Sequence, residues 1–142
     1  MRTMRVPRIL IVEDDSELRR VVSYALMDLG MSCEEAANGE EALVALCRCT
    51  VEGGNPDCVV LDIFMPGTVN GWAVLETMRS NPLWAHTPVI VLTGKAALPA
   101  DVERAGQLGA FHLPKTARFV DELVESLGEV VGYGSVSEEA GS

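Results

Sequence analysis

Short, nearly continuous apolar runs that each lead into a polar residue recur along this chain, and amphipathic segments of helical period separate them. That alternation constrains the fold more than any other feature. Arg8 to Val12 is such a run and ends at the acids Glu13-Asp14-Asp15. Asp57 to Leu61 leads to Asp62, Val89 to Leu92 to Thr93, and Ala110 to Leu113 to Pro114-Lys115. Runs without in/out alternation belong to strands buried on both faces, as in a parallel sheet covered by helices. A fifth stretch, Met31 to Ala37, is more polar and reads as an edge strand.

Five helices are predicted between and after these strands. Ser16 is placed to cap the first, whose apolar positions Leu18, Val21, Val22, Ala25, Leu26 and Leu29 keep helical spacing before Gly30 stops it. Asn38-Gly39 caps the second, which runs to about Cys49 with Ala42, Leu43 and Leu46 inward; Thr50 to Pro56 reads as a loop. Gly71 to Ser80, Leu98 to Leu108 with Pro99 in its first turn, and Thr116 to about Val131 complete the set. Alternating strands and helices, joined by right-handed crossovers, make an α/β, doubly wound, five-stranded parallel sheet. Residues 8–131 are expected to form one domain, after an N-terminal extension at 1–7. The Gly/Ser-rich, acidic segment 132–142 is expected to be a disordered tail.

Composition serves mainly to exclude. A formal net charge of −10 argues against direct nucleic-acid binding through phosphates. No apolar run is long enough to span a bilayer and no signal peptide is recognisable, so a cytoplasmic location is expected. Cys33, Cys47, Cys49 and Cys58 show no C-x-x-C spacing, and Cys47 and Cys49 point to different helix faces, so they read as incidental or buried thiols.

In an open parallel sheet, ligands bind beyond the carboxyl ends of the strands. Those ends carry Glu13, Asp14 and Asp15, then Asp62, Thr93 and Lys115. Taken singly, each has a bland explanation: acids cap helices, Thr favours strands, and a Lys beside a Pro sits on the surface. Taken together they are coherent, because clustered carboxylates repel unless a cation compensates them. An all-oxygen set suits Mg²⁺, which takes one or two carboxylates plus phosphate oxygens. A hydroxyl and an ammonium can then bind the rest of a phosphoryl group.

The segments Ile9-Leu10-Ile11-Val12-Glu13-Asp14-Asp15, Val59-Val60-Leu61-Asp62-Ile63-Phe64-Met65-Pro66-Gly67, Val89-Ile90-Val91-Leu92-Thr93-Gly94 and Leu113-Pro114-Lys115 resemble, in order, the four signatures of two-component response-regulator receiver domains of the stand-alone, CheY-like kind. The resemblance covers roughly Arg8 to Val131. It implies a flavodoxin-like sheet of strand order 2-1-3-4-5 and a signalling domain that catalyses only its own phosphorylation and dephosphorylation. It implies Asp62 as phosphoacceptor and metal contact, Asp14 as Mg²⁺ ligand, Glu13 as a metal-site acid acting through water, and Phe64 as the donor of a backbone carbonyl. Thr93 would sense the phosphoryl group and Lys115 would pair with it; Asp15 has no such role in the family and is assigned to the first turn of the helix. The expected partners are a histidine kinase or phosphotransfer protein, and a downstream protein on the fourth helix, fifth strand and fifth helix, with the chain monomeric or weakly dimeric.

This sequence departs from that pattern in three places. The loop Gly67-Thr68-Val69-Asn70-Gly71 is one residue longer than usual, the segment from Gly109-Ala110 to Lys115 is one residue shorter, and Thr116 stands where a Pro is common. The aromatic switch position is His112, with Phe111 beside it. A rival reading is an aspartyl-phosphate phosphatase of the haloacid dehalogenase type. It would need a second Asp two residues after the nucleophile, where this chain has Phe64. A phosphorylation-independent interaction module on the same fold would have no reason to keep the acidic cluster.

Overall fold

The computed structural model describes residues 6–94 and 98–132. The expected extension up to Arg5 and the expected disordered tail beyond Gly132 lie outside the described residues. The elements alternate throughout: β1 (Arg8–Val12), α1 (Ser16–Asp28), β2 (Ser32–Ala36), α2 (Gly39–Val51), β3 (Cys58–Asp62), α3 (Gly71–Ser80), β4 (Val89–Thr93), α4 (Pro99–Gln107), β5 (Phe111–Pro114) and α5 (Phe119–Val131). All strand pairs are parallel, in the order β2-β1-β3-β4-β5. This is the doubly wound, five-stranded α/β architecture predicted from the alternation.

Successive residues of a strand face opposite sides, so β3 and β4, buried along their whole length, feed two separate cores. On one side Leu10, Val12, Val59, Leu61 and Val91 pack under α2, α3 and α4. On the other side Ile9, Ile11, Val60, Ile90 and Leu92 pack under α1 and α5. β2 lies at one edge with only Ala36 buried, in line with its polar sequence.

The boundaries differ from expectation where side chains intervene. Asp15, not Ser16, caps α1: its Oδ1 accepts from the N–H groups of Glu17 and Leu18. Val21 is exposed rather than inward, and Ser23 is buried. α2 runs two residues past Cys49, to Val51, and its last turn closes with Glu52 N donating to Arg48 O at 2.9 Å, while Thr50 Oγ1 accepts from Trp84 Nε1. α5 starts at Phe119 rather than Thr116. The intervening turn is closed by Phe119 N to Thr116 O at 3.1 Å, and the Thr116 hydroxyl is engaged by Glu122.

Candidate functional site

The parallel register places the site. Val12 on β1 pairs with Leu61 on β3, so Glu13 and Asp62 leave neighbouring strands side by side. Carboxylate oxygens of Glu13, Asp14 and Asp62 all lie within 4.8 Å of one another. Glu13 and Asp62 are only 2% and 3% exposed, whereas Asp14 faces solvent. Lys115, arriving after β5, sets its Nζ 2.6 Å from Glu13 Oε1 and 3.3 Å from Asp62 Oδ2. The remaining Glu13 oxygen accepts from Asp15 N at 3.1 Å, and Asp62 Oδ1 accepts from Phe64 N at 3.0 Å. The Phe64 side chain itself points to solvent.

One ammonium among three carboxylates leaves the cluster short of positive charge. Burial pushes Glu13 up to about 7, with the Asp62 charge adding to it and Lys115 opposing. Burial likewise raises Asp62, against the pull of Lys115 and its hydrogen bonds. Burial tends to lower Lys115, but the Glu13 and Asp62 carboxylates outweigh it and hold the ammonium charged. Three carboxylates with no softer ligand fit Mg²⁺, whose charge would offset theirs.

Thr93 ends β4 one residue beyond Leu92, the partner of Asp62, and is fully buried. Its carbonyl accepts from Lys115 N at 2.8 Å, which ties the fourth and fifth strand ends together. Its hydroxyl lies 2.6 Å from His112 Nε2. The structure therefore gathers Glu13, Asp14, Asp62 and Lys115 into one cluster, and pairs Thr93 with His112 beside it. Phe111 instead lies on the sheet edge with its ring largely exposed.

Three supporting residues were not anticipated. Arg19 Nη1 donates to Glu13 O at 2.6 Å while its Nε pairs with Glu35, so a guanidinium braces the turn that carries the acids. Gly71 packs so tightly under β3 that a Cβ would collide with the Asp62 carbonyl, and Gly39 is similarly pressed by Val69. The lengthened loop thus docks on the start of α2, where Thr68 also bonds Glu40. A glycine directly after an Asn cap was the only sequence signal for either contact.

The family model of the response regulator receiver domain matches residues 9–127. The chain belongs to this family. The receiver is 35% identical over 127 residues to the chemotaxis protein CheY of Pseudomonas aeruginosa, a match spanning 87% of this chain and 98% of that protein. It is 36% identical over 91 residues to the transcriptional regulatory protein TcrA of Mycobacterium tuberculosis, spanning 64% of this chain but only 33% of TcrA. The chain thus covers about a third of that relative's length. The solved structure of the chemotaxis response regulator CheY4 of Vibrio cholerae superposes with a TM-score of 0.73 at 26% identity, covering 89% of this chain and 99% of that one. Receiver domains are signalling modules of two-component systems that use Mg²⁺ at such an acidic cluster.

Proposed function

We propose that this receiver, comprising residues 8–131, takes a phosphoryl group from a histidine kinase or phosphotransfer protein onto Asp62. The observation that carries the reading is the buried Glu13–Asp62 pair, with Asp14 at its mouth and Lys115 Nζ bridging it. An Asp62 oxygen attacks phosphorus and the bond from phosphorus to the donor breaks. Mg²⁺, held by Asp14 and Asp62, through water by Glu13, and by the Phe64 carbonyl, would neutralise charge on the transferring group. Lys115 exchanges carboxylate for phosphoryl oxygens, and Thr93 donates its hydroxyl to another. The Phe64 position supplies no second acid, so nothing favours the phosphatase reading.

The output face we assign is α4, β5 and α5. It exposes Leu98, Val102 and Phe111, and Phe111 helps line a pocket of about 300 Å³ with Ser126, Glu129 and Val130. No helix among the described residues is long and apolar enough to cross a membrane. A cytoplasmic site of action fits the expected partners.

Acetyl phosphate with Mg²⁺ should add one phosphoryl mass to the protein and none to Asp62→Asn. Labelling that survives this substitution would refute the assignment. Asp14→Ala should bind Mg²⁺ more weakly while remaining folded, because it removes one of the clustered charges.

A further inference from the structure

Thr93 offers one hydroxyl hydrogen and is closed off from bulk solvent, since the residue is fully buried. What that hydroxyl bonds to therefore decides where it points. In this structure its partner is His112 Nε2, at 2.6 Å, and not Asp62. The contact follows from register. His112 lies opposite Val91 on the neighbouring strand, and Thr93, two residues on, shares the face of Val91. The half-buried imidazole leans along the strand toward its carboxyl end and meets the hydroxyl there. If Nε2 is bare, the hydroxyl hydrogen is spent on the ring. If Nε2 carries hydrogen, the oxygen is held as its acceptor. Either tautomer fixes the Thr93 rotamer on the His112 side.

We propose that His112 is a positioning residue acting through Thr93: its imidazole pins the hydroxyl in the unphosphorylated protein, so the phosphorylated state forms only by breaking this hydrogen bond. The proposal rests on the reading of Asp62 as phosphoacceptor and concerns how strongly the chain resists that state. The switch position would then hold a latch on Thr93 rather than a ring that only follows it.

The test uses the full chain as wild type, His112→Phe, which keeps a flat ring without the nitrogen, and His112→Gln, whose amide can reach to about the Nε2 position. The first readout is the Thr93 χ1 rotamer, from three-bond couplings to its methyl carbon with no phosphoryl mimic present, which His112→Phe should release and His112→Gln should largely restore. The second is beryllofluoride affinity in Mg²⁺. Loss of one hydrogen bond should tighten it about threefold to tenfold in His112→Phe, with His112→Gln within about twofold of wild type. Unchanged or weaker binding by His112→Phe overturns the latch, as does a Gln variant that behaves like Phe. A wild type that binds no beryllofluoride, or an Asp62→Asn variant that still binds it, refutes the phosphoacceptor reading instead. The rotamer readout decides the pinning of Thr93 without either.

Discussion

Helices α3 and α4 cover the same face of the sheet, yet opposite means hold them. α3 buries Gly71, Trp72, Val74, Leu75 and Met78, whereas α4 buries only Ala105. α4 is fastened instead by two arginines. Arg79 reaches from α3 to five backbone carbonyls, among them Leu108 O at 2.6 Å and Gly109 O at the far end of α4, and Thr87 O at 2.8 Å before β4. Arg104 reaches back from α4 to pair with Glu76 and lies over the Trp72 ring, 4.4 Å from its centre. Apolar contacts lock a helix to the body of the domain. Polar ties hold α4 only at the few points they reach. The helix that follows Thr93 is thus the less deeply anchored of the two.

The contrast can be broken most directly in the core. Leu75→Ala should destabilise the fold by about 2–5 kcal/mol, while Val102→Ala on α4 should change stability by less than about 0.5 kcal/mol. Urea unfolding of both variants checks this, and comparable losses would erase the distinction between the helices.

The rim should show the next largest effect, through pH. Glu13 sits at about 7 when folded and at 4.5 in its ordinary state. Between those values the folded chain keeps a proton that the unfolded chain releases. The Glu13 contribution to metal-free stability should therefore be fully present below about pH 4.5 and be lost as pH rises through 7, by up to about 3 kcal/mol. The raised Asp62 acts in the same direction. Unfolding curves in EDTA at pH 5 and 7.5 measure the slope, and stability that rises with pH would contradict the electrostatics of the site.

Arg79→Ala should cost about 1–3 kcal/mol, because it leaves part-buried carbonyls without a donor. Hydrogen exchange should quicken at the carboxyl end of α4 and leave α3 protected. Of the two arginine ties, Arg104→Ala should cost the less, below about 1 kcal/mol, since its ion pair is exposed. It should nevertheless change Trp72 fluorescence, and an unchanged spectrum would show that the stacked guanidinium does not report on α4.

Much of this was legible in the chain. The apolar runs marked β1, β3 and β4 to within a residue, because full burial on both faces demands them. The acids after β1 and β3 stood out because nothing apolar or turn-like required so many. The caps were less legible. Asp15 and Ser16 are both competent to cap a helix, and only the backbone's extended conformation at Asp15 settles which one does. Val21 fits the helical period and is still exposed, since the width of the buried stripe depends on how α1 leans on the sheet.

The sequence by itself determined the alternation of elements, the parallel sheet and the residues available at its carboxyl edge. Those are properties of short segments, where periodicity and burial act within a dozen residues. The tertiary structure alone decided who meets whom. Lys115 reaches Glu13 across 102 positions of sequence, Thr93 meets His112 across 19, and Arg79 ties the far end of α4 across 29. Contacts of that separation have no local signal, because strand register and crossover hand set them, and both exist only once the sheet has closed.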